Sequence, residues 1–235
     1  MKIIAFSDTH GELPIITEQC DVLCIAGDII PLKMQRNVAQ SASWFRKSFL
    51  PWTDTLPCEK VVLVAGNHDF WMETDRWKSL QPDVPTIQDV IKQHENCKVV
   101  YLQDAGIKIN GIKFYGSPWI TGLPGWAFNT STVEEQHDKF IKIPKNTDVL
   151  VTHTPPYGDV GTVLQKFYNF GSNYGSIALR KILERPSCHV RYSLSGHIHS
   201  GLHAEEKIGN TSCYNVSLLD ENYKLAFGYR VLELE

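Results

Sequence analysis

The sequence predicts an α/β fold in which the central strands form two sheets and helices flank them. The first observation is a series of continuous apolar runs, which are typical of strands buried on both faces. The second is a stretch with helical spacing of its apolar residues between two of these runs. The third is an Asn-Gly pair between two short strands. A chain of 235 residues, of which 43% are hydrophobic and 21% charged, is long enough to bury a core. We expect one domain over residues 1–235.

In the first half of the chain, buried strands are predicted at residues 3–6, 22–26 and 61–65. The stretch 34–50 lies between the last two of them and has helical spacing. We expect Pro51 to end this helix, because proline interrupts the backbone hydrogen bonds of a helix. The order strand, helix, strand indicates crossover connections within a buried sheet.

The second half predicts shorter elements. Short strands are expected at residues 99–101, 107–109 and 112–115, with Asn110-Gly111 as a hairpin turn between the last two. The Gly-, Pro- and Trp-rich segment 116–129 is expected to be a loop, which either lines a pocket or is only pinned to the body by its tryptophans. The remaining predicted elements are a strand at 150–151, a helix at 177–183, a strand at 190–194 and closing strands at 213–218 and 225–232.

Charge and composition exclude several classes of protein. The net charge is −3 and no basic run is present, so there is no strong nucleic-acid-binding signal. The apolar run at the start is too short for a signal-peptide core, and no apolar stretch approaches the length of a membrane span. The six cysteines include no C-x-x-C pair, so we expect a reducing, cytoplasmic setting.

Metal-binding side chains follow five of the predicted strands, at the point where each strand ends. They are Asp8 and His10; Asp28; Asn67, His68 and Asp69; His153; and His197 and His199. Ligands bind at the carboxyl ends of strands in open α/β sheets, and the glycines before several of these residues allow sharp turns. Each short motif alone occurs often by chance. All five in this order predict a metal centre.

The segments "SDTHG", "AGDII", "AGNHDF", "VTHTPP" and "SGHIHSG" resemble the motifs of the calcineurin-like metallophosphoesterase superfamily. The segments "YGSPW", "WAFN", "THTPPYG" and "YNVS" also look like the subgroup of metallophosphoesterase-domain-containing phosphodiesterases. The resemblance implies a four-layer αββα sandwich with a two-metal site at one edge. It also implies two ligand sets with Asp28 in both: Asp8, His10, Asp28 and His199 for one ion, and Asn67, His153 and His197 for the other.

The chemistry of these ligands agrees with that implication. Oxygen and imidazole ligands without cysteine suit two divalent ions from the group Mn, Fe, Zn, Ni and Co. Two carboxylates facing two dications leave a formal charge of roughly +2, which suits a phosphate, and a water bound between them can have its pKa lowered to about 7. The hydroxide so formed is expected to attack phosphorus.

His68 is predicted to protonate the leaving oxygen or to stabilise the transition state, since its intrinsic pKa is near neutral. Two hypotheses remain for Asp69. It either orients His68 or holds a secondary contact, or it is a carboxylate at the N-terminus of a helix, where the helix dipole favours it. For His203, which follows the last motif, we expect a surface position rather than a contact with the site.

The predicted function is hydrolysis of a small or cyclic-nucleotide-like phosphodiester. The alternatives are a phosphomonoesterase, including a phosphoprotein phosphatase, and an inactive metal-binding scaffold. A monoester dianion is often met by an added cation, for which Arg36 or Lys33 are the candidates here. The expected partner is therefore a small-molecule phosphoester substrate, and no membrane is expected.

The aromatic loop adds an expectation about the substrate. Trp119, Trp126 and Phe128 could stack a base, because aromatic side chains bind nucleobases by their faces. We also expect Asn129 and Tyr157 to line the pocket, since both lie near the motifs.

Overall fold

The computed structural model describes residues 1–164 and 171–234, which form two large sheets, one small sheet and six α-helices. The strands are β1 (Lys2–Phe6), β2 (Cys20–Ala26), β3 (Cys58–Val64), β4 (Val99–Tyr101), β5 (Ala105–Ile109), β6 (Ile112–Ser117), β7 (Ile120–Thr121), β8 (Asn129–Thr130), β9 (Val149–Thr152), β10 (Tyr192–Ser195), β11 (Glu206–Ile208), β12 (Thr211–Asn215) and β13 (Arg230–Glu233). The helices are α1 (Val38–Trp44), α2 (Leu50–Thr55), α3 (Thr74–Trp77), α4 (Ile87–Gln93), α5 (Val133–Phe140) and α6 (Ile177–Leu183). Among these residues no helix has the length and apolar character needed to cross a bilayer.

Both large sheets are mixed, with parallel strands at their centres. The first sheet has the order β13-β1-β2-β3-β4, in which only β13 pairs antiparallel. The second has the order β11-β12-β10-β9-β6-β5, with antiparallel strands at both edges. The carboxyl ends of the parallel strands of a sheet meet at one edge, so the loops after them converge there.

Alternation along the central strands explains why the sheets stack. In β1, Ile3 and Ala5 point towards the second sheet and pack with residues such as Val149. Ile4 and Phe6 point the other way, into a core shared with the helices on that side. A third core lies between the outer face of the second sheet and helices α5 and α6. The predicted four-layer αββα sandwich is therefore confirmed.

The helix predicted over residues 34–50 differs from expectation, because Pro51 does not end it. A π-helical segment, Phe45–Phe49, joins α1 to α2, and the backbone N–H of Leu50 donates to the carbonyl of Phe45 five residues back. Pro51 therefore stands in the first turn of α2, directly after the wider turn, a position in which a helix tolerates proline. The helical path therefore continues to Thr55.

The hairpin prediction is confirmed, since Asn110 and Gly111 join β5 to β6 with φ of 47° and 91°. Positive φ at both central residues is the geometry that selects Asn-Gly. The segment 116–129 is not all loop, because β6 extends into it and β7 and β8 form a small parallel pair. The closing strand expected at 225–232 is wrong in its first half. Leu225 is 72% exposed, and regular pairing starts only at Arg230.

Candidate metal centre at the edge of the two sheets

All nine predicted site residues lie in the loops that follow five parallel strands. Those after β1, β2 and β3 come from the first sheet, and those after β9 and β10 come from the second. Because the two sheets are stacked, the two sets of loops meet at one edge of the sandwich. The structure thus brings together the groups that the sequence placed as far apart as Asp8 and His199.

Asp28 lies at the centre of this group. Its Oδ1 accepts a hydrogen bond of 2.8 Å from the backbone N–H of His68. Its Oδ2 faces three imidazoles, with the Nε2 atoms of His153, His10 and His68 at 3.2, 3.9 and 3.9 Å. The carboxylate is almost fully buried, so the rings surround it in place of water. One oxygen is therefore shared between ligand groups from both sheets.

Asp8 is the second buried carboxylate. Its Oδ1 lies 3.3 Å from the Nε2 of His199. Its Oδ2 accepts hydrogen bonds from the hydroxyls of Ser7 and Ser217 and from the backbone N–H of His197. Donor atoms of Asp8, His10 and His199 all lie within 4.8 Å of one another. This spacing is compatible with one metal ion held by all three.

A second group, formed by Asn67, His153 and His197, adjoins Asp28 through His153. The Oδ1 of Asn67 is 3.0 Å from the Nε2 of His153, and the rings of His153 and His197 are 4.9 Å apart. The Nδ1 of His153 is 2.8 Å from the carbonyl of Ala26, to which it donates. This bond fixes the tautomer that leaves the Nε2 lone pair directed at the centre, as in many metal sites. His199 is held likewise, through its Nδ1 and a backbone carbonyl.

The unpaired ring of His10 is further evidence that these residues suit a metal ion. His10 is only 9% exposed, yet neither of its ring nitrogens has a hydrogen-bond partner among the described residues. Buried polar atoms in folded proteins are nearly always paired. A ring nitrogen beside two buried carboxylates is satisfied by coordination to a cation, which also balances the carboxylate charge.

The backbone at this edge is held in unusual conformations. Asp8, His10, Asp28 and His197 all have positive φ, between 45° and 70°. Non-glycine residues rarely adopt this region, and such strain clusters at functional sites. The glycine of the third motif has a steric role, since a Cβ at Gly66 would overlap the Asp28 carboxylate. The glycines that precede the motifs were the sequence signal for these close approaches.

Each buried carboxylate of the centre interacts electrostatically with a neighbouring imidazole. Burial opposes ionisation of Asp28, but the charges of His153 and His68 hold its pKa well below the usual range. Burial alone would lower the pKa of His153, but Asp28 raises it to about 9. His199 behaves in the same way beside Asp8, with a pKa of about 9. Without metal these rings carry protons that a divalent cation displaces, because a ligand must be deprotonated to coordinate.

His10 and His197 differ, because burial dominates at both. It lowers the pKa of His10 to about 4 and that of His197 to about 3. Both rings are therefore neutral near pH 7 and present lone pairs without proton release. The centre combines neutral and protonated imidazoles around two carboxylates.

His68 lies beside the centre, and its ring is held on three sides. Its Nε2 faces Asp28, its Nδ1 contacts the Oε1 of Gln35, and its ring packs 4.5 Å from that of Trp126 and 4.6 Å from that of His10. Burial lowers its pKa. Gln35 was missed from the sequence because a neutral amide in a loop gives no titratable or periodic signal.

Asp69 makes the secondary contact expected of it, but it neither orients His68 nor caps a helix. Its carboxylate accepts hydrogen bonds from the backbone N–H groups of Gly66, Asp28, Ile29 and Ile30, at 2.8 to 3.1 Å. Among the described residues no hydrogen bond joins it to the His68 ring, and it does not cap the 3₁₀ turn Phe70–Met72 that follows. Burial and the charge of Asp28 raise its pKa to about 7. Asp69 therefore supports the centre by tying the loop after β2 to the loop after β3.

Trp126 is the part of the aromatic loop that reaches the site. The guanidinium of Arg36 lies over its ring and donates to the carbonyl of Gly125, and Arg76 donates to the carbonyls of Gly125 and Trp126. Arg36 is thus engaged in holding the loop and is not a free phosphate-binding group. Lys33 lies elsewhere, at the cleft beside His10.

Four other expectations for this region are wrong. Phe128 is fully buried, and Trp119 packs against it and donates to Asp104, so neither can stack a substrate base at the centre. Asn129 accepts a hydrogen bond from the backbone of Leu123 and so braces the loop. Neither Asn129 nor Tyr157 lines the cleft over Asp28. In each case the residue type suggested a contact, but the loop path directs the side chain elsewhere.

Two residues near the C-terminal end of the chain join the site. The half-buried His203 has its Nε2 3.1 Å from the carbonyl of His199, so it contacts the site as well as the surface. The ring of Tyr223 packs edge-on at 4.9 Å from that of His10 and 5.4 Å from that of His199. Tyr223 has a φ of 57°. It lies far from every motif in sequence, so only the fold reveals it.

The chain was compared with known proteins. A family model described as calcineurin-like phosphoesterase matches residues 1–201. The chain is 31% identical over 237 residues to "Metallophosphoesterase domain-containing protein 1" of Homo sapiens, covering 95% of this chain and 68% of that protein. It is 28% identical over 244 residues to a UPF0046 protein of Caenorhabditis elegans, covering 96% of this chain and 58% of that protein. The crystal structure of phosphopantetheinyl hydrolase from Mycobacterium tuberculosis has the same fold, with a TM-score of 0.53, 16% identity and 94% and 90% of the two chains covered.

Proposed function

Since this chain belongs to the calcineurin-like phosphoesterase family, a family of metal-dependent hydrolases of phosphoester bonds, we propose that it is a binuclear phosphodiesterase. The observation that carries the proposal is the Oδ2 atom of Asp28, which faces imidazoles from both sheets within 3.9 Å. One oxygen shared by two ligand groups is compatible with a pair of adjacent cations. The substrate we propose is a small or cyclic-nucleotide-like diester.

Two ligand sets share Asp28 in this proposal. Asp8, His10, Asp28 and His199 would hold one divalent ion, and Asn67, His153, His197 and Asp28 would hold the other. The first set contains a group of donor atoms within 4.8 Å of one another, and in the second set His153 lies beside Asn67, His197 and Asp28. The ions belong to the group Mn, Fe, Zn, Ni and Co, which accept oxygen and imidazole ligands. When bound, they supply Lewis-acid stabilisation of the phosphoryl oxygens and activation of water.

The protein groups supply orientation and proton transfer. Because the amide oxygen of Gln35 accepts from Nδ1 of His68, the Nε2 atom is the one that faces the substrate. We assign Nε2 of the protonated His68 ring as the donor of a proton to the leaving oxygen, or of a hydrogen bond to it in the transition state, because only the imidazolium carries a proton on Nε2 while Nδ1 donates to Gln35. Trp126 covers the ring of His68 and excludes water from that side.

The charge of the cleft over Asp28 supports a diester. This cleft has a volume of about 320 Å³, and among the described residues no lysine or arginine lines it. It is instead lined by Glu221 in addition to the ligand residues. A monoester dianion is often met by an added cation, whereas a diester carries one charge and a second organic group. A monoesterase remains the alternative within this family. Such an enzyme would have to bind the second negative charge of its substrate through the metal ions alone.

Paired kinetics test the proposal. The chain is loaded with Mn²⁺, Fe²⁺ or Ni²⁺, and kcat/KM is measured for bis(4-nitrophenyl) phosphate and for 4-nitrophenyl phosphate. We expect the diester to be favoured by at least about tenfold, which corresponds to about 1.4 kcal/mol of transition-state stabilisation. Equal or better hydrolysis of the monoester would contradict the diester assignment. No hydrolysis of either ester by metal-loaded protein would instead favour the inactive scaffold.

A further inference from the structure

We propose that a second cleft, beside His10, binds the organic substituent of the diester that does not leave, and that this substituent is aromatic or otherwise apolar. The inference rests on the proposed phosphodiesterase function and adds to it the class of the second ester group. The cleft, here called the His10 cleft, has a volume of about 480 Å³. It is formed by Thr9, His10, Gly11, Glu12, Pro31, Leu32, Lys33, Met34, Trp44, Leu219 and Tyr223.

The His10 cleft meets the cleft over Asp28 at one residue. Tyr223 lines both clefts, and its ring stands edge-on to the rings of His10 and His199. The two clefts therefore adjoin at the same tyrosine, next to the ligand groups. A ligand centred over Asp28 can extend into both volumes if it has two substituents.

Tyr223 is fixed in this dividing position by its turn. The backbone N–H of Tyr223 donates to the carbonyl of Asp220, and the Asp220 carboxylate accepts from the backbone of Asn222 and Lys224. The carbonyl of Asp220 also accepts from Nδ1 of His199. The turn that carries the tyrosine is thus bonded to a metal-ligand residue, so the division between the clefts is built into the centre.

The lining of the His10 cleft indicates the chemistry of its occupant. Pro31, Leu32, Met34, Trp44 and Leu219 provide an apolar wall. Glu12 and Lys33 also line it, and their opposite charges give no net preference for a charged group. Trp44 is half-buried and packs against Phe49, which holds its indole in place. An uncharged ring or alkyl group gains from this surface by burial and stacking, whereas a second phosphate does not.

The geometry of a diester fits the two clefts. A tetrahedral phosphorus carries two ester oxygens that point in different directions. The leaving oxygen must lie near Nε2 of His68, at the cleft that Trp126 also lines. The other ester oxygen points in a different direction, and we place its substituent in the His10 cleft, which adjoins the cleft over Asp28 at Tyr223. Each ester group therefore has its own tryptophan, Trp126 or Trp44.

Binding of phosphinates tests this without turnover. Diphenylphosphinate and methyl(phenyl)phosphinate have the same charge and no hydrolysable ester bond, and they differ by one aromatic arm. We measure their dissociation constants by calorimetry on the metal-loaded chain. We expect diphenylphosphinate to bind about tenfold more tightly, a gain typical of one ring stacked on an aromatic side chain. Trp44→Ala is expected to remove most of this difference, and Trp44→Phe to retain most of it.

Trp52→Ala is the matched control, because Trp52 is also a half-buried indole of the same helical region but lines neither cleft. It is expected to keep the difference between the two phosphinates. Equal affinity of the wild-type chain for both ligands, or a Trp44→Ala variant that keeps the full difference, would overturn the inference. Hydrolysis of bis(4-nitrophenyl) phosphate is measured on the same preparations. An active enzyme without the difference refutes only the second cleft, whereas a chain that hydrolyses no diester refutes the proposed function.

Discussion

Removing the carboxylate of Asp69 should destabilise the protein strongly, although among the described residues it makes no hydrogen bond to the His68 ring. The side chain is fully buried and accepts four backbone N–H groups from two loops. In Asp69→Ala these donors lose their acceptor in a space closed to water. Each buried amide left unsatisfied costs about 1–3 kcal/mol. We use the low end, because the substitution also removes the cost of burying a carboxylate near Asp28.

Four amides at about 1 kcal/mol each give a destabilisation of about 4 kcal/mol for Asp69→Ala. Asp69→Asn is the matched variant, since it keeps one oxygen of the same shape. That oxygen can serve the amides of Ile29 and Ile30, which Oδ1 serves now, while the amides of Asp28 and Gly66 face the new NH₂ group. Two of the four amides lose their acceptor, so we expect a destabilisation of about 2 kcal/mol for Asp69→Asn.

Urea unfolding of the metal-free chain, followed by circular dichroism, measures both values. With a slope of about 2–3 kcal/mol per molar urea, Asp69→Ala should lower the midpoint by about 1.3–2 M and Asp69→Asn by about half as much. The metal-free form is used so that lost metal affinity does not add to the result. Two outcomes would refute the reasoning. One is a cost below about 1 kcal/mol for both variants, and the other is Asn as damaging as Ala.

Three further predictions concern the centre itself. His68→Ala should keep both metal ions, as measured by elemental analysis, and lower kcat by about 10²–10⁴-fold, as expected for a lost acid–base group. Loss of metal from this variant would contradict the role assigned to His68. Gln35→Ala should lower kcat with little change in KM, because it frees the His68 ring. The control Gln40→Ala, at an exposed position, should leave both constants unchanged. Equal effects of the two variants would contradict a role for the contact between Gln35 and His68. Gly66→Ala should abolish metal binding through overlap with the Asp28 carboxylate, whereas Gly228→Ala, which meets no atom within 4 Å, should bind metal normally. Full metal content in the Gly66 variant would show that this close approach is not required.

Much of the fold was predictable, because its central strands are buried on both faces. Continuous apolar runs such as residues 22–26 are typical of strands covered on both sides, and the Asn110-Gly111 pair selects its hairpin by backbone geometry alone. The continuation of the helix past Pro51 is not predictable, because the π-helical turn before it leaves no mark in the apolar spacing. The last strand was placed too early, because Leu225 keeps the alternation of a strand while lying exposed.

Part of the candidate site was predictable from the sequence and part was not. Residues at strand ends, such as Asp28 and His153, were predictable because the sheet edge gathers them and their chemistry is specific. Gln35 and Tyr223 were not, since each reaches the centre from a loop whose path depends on tertiary contacts. Trp126 and Trp119 show the same limit. Both tryptophans lie in the segment 116–129, and the sequence does not distinguish them. Arg36 and Arg76 nevertheless hold the loop at Trp126, so that only its ring packs against His68.

The central claim is that the loops of two sheets build one centre for two ions that share Asp28. Anomalous diffraction from crystals of the chain loaded with Mn²⁺ tests this most directly. The account predicts two peaks per chain, both bonded to the carboxylate of Asp28. One peak should also contact Asp8, His10 and His199, and the other Asn67, His153 and His197. A single peak, or two peaks of which one does not touch Asp28, would contradict it.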